Sequence, residues 1–210
     1  MAPDRTYFVE NPVVRGFIDE VERIIAATPE PTRAVTDLRE PFGRLLADDG
    51  WLPPEFQIPD PAGGMGEAIG NYLIYRSAGR DLTLFSLVLP PGSRTPVHDH
   101  LAWGLVGLYR GEQDEFVYRR VDRQDREGRA DLEQVERRHL RAGDFYELLP
   151  PEGDIHQVVS GGSGPSLSLH LLANDVGCLW RHRFEPDEHA VHAFRSGYSN
   201  APCEDHHPSH

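Results

Sequence analysis

The feature that most constrains the fold is a change of character near residue 68. Before it, two segments place apolar residues at helical spacing. After it, short runs rich in Val, Leu, Tyr, Phe and Thr alternate with Gly, Pro and Asp, which is typical of strands separated by turns. Regular short strands after a helical start favour an antiparallel barrel or jelly roll. We therefore expect a mainly β fold with N-terminal helices.

The elements can be placed approximately. Helices are expected over 12–28 and 31–48, the second interrupted or ended near Pro41-Phe42-Gly43. We expect a helical cap with loops over 1–66, the barrel over 67–200 and a disordered tail over 201–210, all in one structural domain. The predicted strands lie near 71–76, 82–89, 96–98, 102–110, 114–121, 132–139, 145–149, 155–160, 166–172 and 178–184.

The charge of the chain excludes several classes of partner. It has 21 Lys and Arg against 34 Asp and Glu, a formal net charge of -13. This sign repels nucleic-acid phosphates and anionic membrane surfaces. No apolar run approaches the roughly 18 residues of a membrane span, and we expect no signal peptide. Two cysteines, Cys178 and Cys203, are too few for a disulfide scaffold, so we expect a reducing, cytoplasmic location with Cys178 as a small buried apolar residue.

Two histidines point to a metal. His98 and His100 are two positions apart, and residues at that spacing on a strand share a face. Imidazoles that face the inside of a small barrel are costly unless their ring nitrogens find partners. A metal ion is a good partner, because neutral imidazole is its commonest nitrogen ligand. The alternative is a histidine pair on the solvent face.

A second segment supplies a third ring. Pro151, Gly153 and His156 form a PxGxxH arrangement, in which a tight turn precedes a strand that carries the histidine inward. Together with His98 and His100, this segment resembles the cupin signature. The resemblance implies a cupin double-stranded β-helix (jelly-roll) barrel and a metal bound by the three histidines.

The sequence departs from the usual cupin pattern at one ligand. Cupins have a Glu four or five residues after the second histidine, where this chain has Gly104 and Leu105. Glu112 lies beyond the Gly111 turn and is expected at the surface. We therefore predict three neutral imidazoles without a protein carboxylate. Such an open site keeps the full charge of a divalent ion and suits Fe(II), O2 and an anionic ligand such as a thiolate.

Within the cupins, residues 68–200 resemble the thiol dioxygenases, namely cysteine dioxygenase and, more closely, the bacterial 3-mercaptopropionate dioxygenases. The resemblance implies Fe(II), O2 and the oxidation of a small thiol to a sulfinate. The motifs that carry it, in chain order, are PVHDHLAWG with Trp103, the PxGxxH segment, SLSLHLL, VGCLWRHRFEP and FRSGYSN.

The resemblance also assigns residues around the metal. The Ser-His-Tyr relay of the family falls on Ser168, His170 and Leu172, so its tyrosine hydroxyl is missing here. Tyr146 or Tyr198 could supply a hydroxyl, or both could be ordinary core tyrosines. The position of the cysteine that forms a thioether crosslink in mammalian-type cysteine dioxygenase corresponds to Gly104, so no crosslink is expected.

The substrate contacts are assigned in the same way. The arginine that holds the substrate carboxylate in the bacterial enzymes corresponds to Arg181, with a surface pairing to Asp187 or Glu188 as the alternative. Asn71 stands near the position of the arginine that the cysteine-type enzymes use. Trp103 is expected near the site, as a substrate contact or in packing.

The expected function is an Fe(II) dioxygenase that oxidises the thiol of a cysteine- or 3-mercaptopropionate-type carboxylate with O2 to a sulfinate. One alternative is a divergent oxygenase that converts cysteine or a related aminothiol into another S-oxidised product, including one with a sulfur–nitrogen bond. Another is a non-catalytic cupin that binds a metal or small ligand. The expected partners are a small thiol and O2, and the protein is expected to be a monomer or small homo-oligomer.

Overall fold

The computed structural model describes residues 5–124 and 126–203, within which twelve strands form two six-stranded antiparallel sheets. The first sheet has the order β1-β2-β3-β10-β5-β8 and the second the order β12-β11-β4-β9-β6-β7. The helices are α1 (Pro12–Ala27) and α2 (Pro31–Ala47). The strands are β1 (Thr6–Tyr7), β2 (Gly70–Arg76), β3 (Thr83–Leu89), β4 (Val97–His98), β5 (Gly104–Arg110), β6 (Glu112–Arg120), β7 (Leu132–Arg141), β8 (Phe145–Leu148), β9 (Ile155–Ser160), β10 (Ser166–Leu172), β11 (Arg181–Glu185) and β12 (Ala190–Phe194).

The two sheets face each other. Val158 of β9 packs with Leu87 and Leu89 of β3 across the interior. Gln113 of β6 donates a hydrogen bond of 3.1 Å from its side-chain amide to the hydroxyl of Ser166 on β10. Two facing antiparallel sheets with this strand order form a double-stranded β-helix, so the predicted cupin fold class is confirmed. The ten predicted strands correspond to β2–β11, and the short β1 and β12 were not predicted.

The two helices cover the outer face of the first sheet. Asn11 caps α1, its side-chain oxygen accepting from the Val14 amide at 3.0 Å, and Pro12 occupies the first turn. The buried faces of α1 and α2 join the outward side chains of the first sheet in one cluster, which we call the helix-side core. Its members include Val14, Ile18, Val35, Leu38, Phe42, Leu105 and Leu169. Neither α-helix has the length and apolar character required to cross a membrane.

The predicted break in the second helix is wrong. α2 runs through Pro41 to Ala47 without interruption. A proline inside a helix removes a backbone donor and costs about 3 kcal/mol. Here the stripe formed by Leu38, Phe42 and Leu45 is buried against the first sheet, and this burial holds the helix together across the proline.

The predicted tail begins on the barrel rather than in solvent. We call residues 195–203 the C-terminal strap. Asn200 pairs with the Leu73 backbone, accepting from its N–H at 2.8 Å and donating to its C=O at 2.9 Å. Ala201 is buried. The rest of the predicted tail, residues 204–210, lies outside the residues that the structure describes.

The prediction of Cys178 as a small buried apolar residue in a reducing location did not foresee that Cys178 forms a disulfide with Cys203. The contacts of Asn200 bring the strap across β2 and set Cys203 beside the loop that precedes β11. This disulfide is typical of oxidising compartments and weighs against the cytoplasmic location, which stays a prediction.

We predict that Gly107→Ala destabilises the fold, because α2 lies directly on β5 at this residue. A Cβ at Gly107 would lie 2.5 Å from Leu46 Cδ1 and 2.8 Å from Phe42 Cε1. Overpacking of this kind costs about 1–3 kcal/mol of unfolding free energy, measurable by urea denaturation. Gly164→Ala, at a position with nothing within 4 Å of the added Cβ, is the matched control. Equal stability of the two variants would contradict this packing.

Candidate metal centre

Three histidines of the second sheet meet inside the barrel. His98 on β4 lies opposite His156 on β9 in the strand register, and His100 follows two residues after His98. The three ring centroids are 4.7–4.9 Å apart, and one ligand nitrogen from each ring lies within 4.8 Å of the other two. All three side chains are buried. The residues that the sequence analysis assigned to the metal thus form one cluster, able to hold an ion.

Hydrogen bonds orient the three rings. His98 Nδ1 lies 2.9 Å from the Pro96 carbonyl oxygen, and His100 Nδ1 lies 3.2 Å from the Asp154 carbonyl oxygen. His156 Nδ1 lies 2.5 Å from Glu115 Oε1. In each ring Nδ1–H donates, which leaves Nε2 to accept a metal. Metal-binding histidines nearly always have their second nitrogen engaged in this way, so the residues fit a divalent ion.

Burial keeps the rings in the ligand form. It lowers the pKa of His98 well below its usual value, and the positive charge of Arg181 lowers it further. Burial also lowers the pKa of His100, although the hydrogen bond to Asp154 opposes the shift. Since a metal binds neutral imidazole, both rings are ready to coordinate at neutral pH.

A carboxylate that was not predicted from the sequence, that of Glu115, lies behind the cluster. Glu115 of β6 is fully buried and contacts His156, while the Arg138 guanidinium lies 3.4 Å from its second oxygen. Burial raises the pKa of Glu115, but the hydrogen bond with His156 and the influence of Tyr146 and Arg138 outweigh it and lower the pKa overall. The sequence carries no signal for this contact, because which face of β6 is buried is known only from the structure, where Glu115 lies on the inward face. Glu112 on the same strand is exposed, as expected.

The relay residues lie on the facing sheet. Ser168, His170 and Leu172 of β10 are all buried, and the Ser168 hydroxyl lies 3.0 Å from His170 Nε2. The His170 ring stacks on the Phe85 ring, with the two ring centroids 4.7 Å apart. Its Nδ1 is buried and has no hydrogen-bond partner within residues 5–124 and 126–203. Leu172 packs in an apolar cluster with Phe85 and Leu73, where it offers no hydroxyl.

Arg181 is buried beside the histidines. Its Nη1 donates to the Asp99 carbonyl at 2.6 Å, and its Nη2 donates to the Ser196 hydroxyl of the C-terminal strap at 3.1 Å. The guanidinium has no carboxylate within 4.0 Å in the described part of the chain, so the alternative of a surface ion pair with Asp187 or Glu188 is wrong. Burial lowers the pKa of Arg181 to about 10, which leaves it protonated at neutral pH.

The other predicted residues occupy different surroundings. Asn71 is buried and donates to the Gly197 carbonyl at 2.5 Å, while its Oδ1 has no partner among the residues that the structure describes. Trp103 packs against the helix-side core rather than with the inward-facing clusters. The Tyr198 hydroxyl accepts from the Gly177 amide at 3.0 Å, and the Tyr146 hydroxyl lies 3.3 Å from His156 Nδ1. Neither hydroxyl is within hydrogen-bond distance of the relay residues.

Gly104 stands at the start of β5, with φ of 155°. A Cβ at this position would lie 2.0 Å from the carbonyl oxygen of Leu171. A side chain, cysteine included, would therefore force the two strands apart. This packing agrees with the expectation that no thioether crosslink forms here.

No protein-family model matches the chain. Among solved structures, Peruvianin-I, described as a cysteine peptidase from Thevetia peruviana latex, is 24% identical, with 59% of this chain and 71% of that chain covered and a TM-score of 0.41. A Klebsiella pneumoniae protein with a double-stranded β-helix domain is 16% identical, with coverage of 58% and 81% and a TM-score of 0.42. An oxalate oxidase in complex with glycolate is 16% identical, with coverage of 57% and 56% and a TM-score of 0.42.

All three TM-scores lie below 0.5, so the fold assignment depends on the strand pairing described above.

We predict that the chain binds one divalent ion at the three histidines. Titration of the apoprotein with Co(II) should give one tight site, and His156→Ala should raise its dissociation constant at least about 100-fold, because one of three ligands is lost. His189→Ala removes a half-exposed histidine outside the cluster and is the control. Equal affinity in the two variants would exclude the site.

Proposed function

We propose that the chain is a non-haem Fe(II) thiol dioxygenase that converts a small thiol carboxylate and O2 into a sulfinate. The observation that carries the proposal is a carboxylate-free cluster of three histidines beside a buried arginine without an ion pair. The two features are physically joined, because Arg181 donates to the carbonyl of Asp99, the residue between His98 and His100. Together they suit a molecule that carries a thiolate at one end and a carboxylate at the other.

The ligand set favours an anionic sulfur. Three neutral imidazoles leave the whole charge of a divalent ion uncompensated by the ligands themselves. Bound Fe(II) would supply open positions for a thiolate and for O2, and the capacity to exchange electrons with both. The overall change is balanced, since a thiolate and O2 together contain every atom and the charge of a sulfinate.

The role of Arg181 is to hold the substrate carboxylate. A buried cation without an ion-pair partner is costly, and a bound carboxylate would relieve that cost. The hydrogen bonds from its side chain to Asp99 and Ser196 fix the direction of the guanidinium before substrate arrives. A charge-assisted contact of this kind contributes about 1.5–3 kcal/mol.

The role of Ser168 and His170 is to orient the substrate and to donate a hydrogen bond to charge that develops on oxygen. If Ser168 donates its hydroxyl proton to His170 Nε2, the ring proton lies on Nδ1. That nitrogen has no partner within the described ranges, so it is available to a bound molecule. Asn71, with its unpartnered Oδ1, is a further candidate contact.

A second candidate product follows from Leu172. This residue is packed among Leu73 and Phe85, and it cannot donate a hydrogen bond. We therefore keep the alternative that an aminothiol such as cysteine is converted into a different S-oxidised product, including one with a sulfur–nitrogen bond. The thiol itself, the oligomeric state and the cytoplasmic location remain predictions.

Thiol-dependent O2 uptake tests the activity. We expect the Fe(II)-loaded protein to consume O2 with 3-mercaptopropionate or cysteine, and mass spectrometry under 18O2 to give a sulfinate with two labels. His156→Ala should abolish the uptake. A product without a plain sulfinate would support the second candidate, and no uptake at full iron loading would support a non-catalytic cupin.

Arg181→Met tests the carboxylate contact. We expect KM for 3-mercaptopropionate to rise about 10- to 100-fold, as the loss of a charge-assisted hydrogen bond predicts. Cysteamine carries no carboxylate, so its KM should change far less in the same variant. Arg183→Met, an exposed position two residues along β11, is the matched protein control. An equal rise for both thiols would contradict the assignment.

A further inference from the structure

Glu115 is a buried acid that has no role in the proposed reaction. Burying a carboxylate is costly unless it gains compensating contacts. The buried acid Asp154 has a structural use, because it accepts the backbone N–H groups of His100 and Leu101 at 2.9 and 3.1 Å. Glu115 accepts no backbone donor in the described chain, and its partners are the side chains of His156, Arg138 and Tyr146.

We propose that Glu115 is a positioning residue that supplies, through His156, the negative charge that the three-histidine ligand set lacks. The inference rests on the metal site of the proposed function. In this arrangement the Glu115 carboxylate contacts a ligand instead of being one itself. It lies on β6, whereas the usual cupin glutamate would fall at Gly104 or Leu105 on β5.

The three ligands are not equivalent in this arrangement. His98 Nδ1 lies 2.9 Å from a neutral carbonyl oxygen. His100 Nδ1 lies 3.2 Å from the Asp154 carbonyl oxygen and 3.3 Å from the Asp154 carboxylate, whereas His156 Nδ1 lies only 2.5 Å from the Glu115 carboxylate and has the closest contact with an anion. A carboxylate that accepts the Nδ1 proton increases the electron density of the ring and makes Nε2 a stronger donor. His156 is therefore the strongest of the three ligands, and its ring is locked against rotation.

Two neighbours hold Glu115 in this role. Arg138 Nη1 lies 3.4 Å from Oε2, while Oε1 faces His156, so each carboxylate oxygen has its own partner. The Arg138 guanidinium also lies over the Tyr146 ring, 4.9 Å from its centroid. These contacts keep the carboxylate directed at His156 Nδ1.

Metal binding by the apoprotein tests the proposal without thiol or O2. Co(II) is titrated into wild type and Glu115→Gln in competition with a chromophoric chelator. The glutamine keeps the size and an acceptor oxygen but removes the charge. We expect the dissociation constant to rise about 10- to 100-fold, the range found when such a partner of a ligand is lost. Glu112→Gln, the same change at an exposed site of β6, should stay within about twofold.

A spectroscopic readout separates charge donation from a merely structural role. At saturating Co(II), the visible absorption bands of Glu115→Gln should shift relative to wild type, because the donor strength of His156 has fallen. The bands of Glu112→Gln should not move. Unchanged affinity and unchanged bands in Glu115→Gln would overturn the proposal.

A milder variant protects the test against unfolding. Circular dichroism and thermal melting of each apoprotein establish that it is folded. If Glu115→Gln is not, Glu115→Asp decides, since it keeps a negative charge near Arg138 but shortens the side chain and withdraws the carboxylate from His156 Nδ1. We expect a rise of about threefold in the dissociation constant with a smaller band shift. No change in either quantity would overturn the proposal.

The Co(II)-binding test of Glu115 does not depend on whether the protein oxidises a thiol. If wild type binds Co(II) but consumes no O2 with any thiol, the proposed function fails while the comparison of Glu115 with Glu112 stands. If O2 uptake is found and Glu115→Gln binds Co(II) as wild type does, the dioxygenase proposal stands and the role of Glu115 is refuted.

Discussion

The site depends on one type of interaction, the hydrogen bond that each buried histidine makes through Nδ1. Pro96, Asp154 and Glu115 each accept one of these bonds, and all three rings therefore present the opposite nitrogen to a common point. Without such partners, three neutral rings at this depth would be free to rotate and would leave polar atoms unsatisfied. The ligand geometry is thus a property of the surrounding polar groups as much as of the histidines.

The barrel makes this arrangement possible because the residues of the site come from both sheets. The second sheet carries the histidines and Glu115, and the first carries Ser168 and His170 on a strand buried from end to end. The helices stabilise the first sheet from outside, which leaves its inner face for the site. Gly104, where no side chain fits, lets β5 and β10 approach closely beside Leu172.

The fold could be predicted because it follows from local periodicity, and the histidine cluster could be predicted from the HxH spacing and the PxGxxH segment. β4 ends at His98, so His100 is placed by its backbone hydrogen bond to Asp154 rather than by strand alternation. The contacts that were missed are long-range. Glu115 is 41 positions from His156, and Cys203 is 25 from Cys178, so only the folded topology brings them together. Pro41 was misjudged for a related reason, since tertiary burial outweighed its local preference.

The bond from Arg181 to the Asp99 carbonyl has a thermodynamic consequence. It connects the anion-holding guanidinium to the short backbone segment that carries two of the ring ligands. Any shift of that segment when an ion binds would also move the guanidinium. Any shift of the guanidinium when a carboxylate binds would likewise move the two ring ligands. Linkage then requires reciprocity: whatever factor the ion applies to carboxylate affinity, the carboxylate applies to ion affinity.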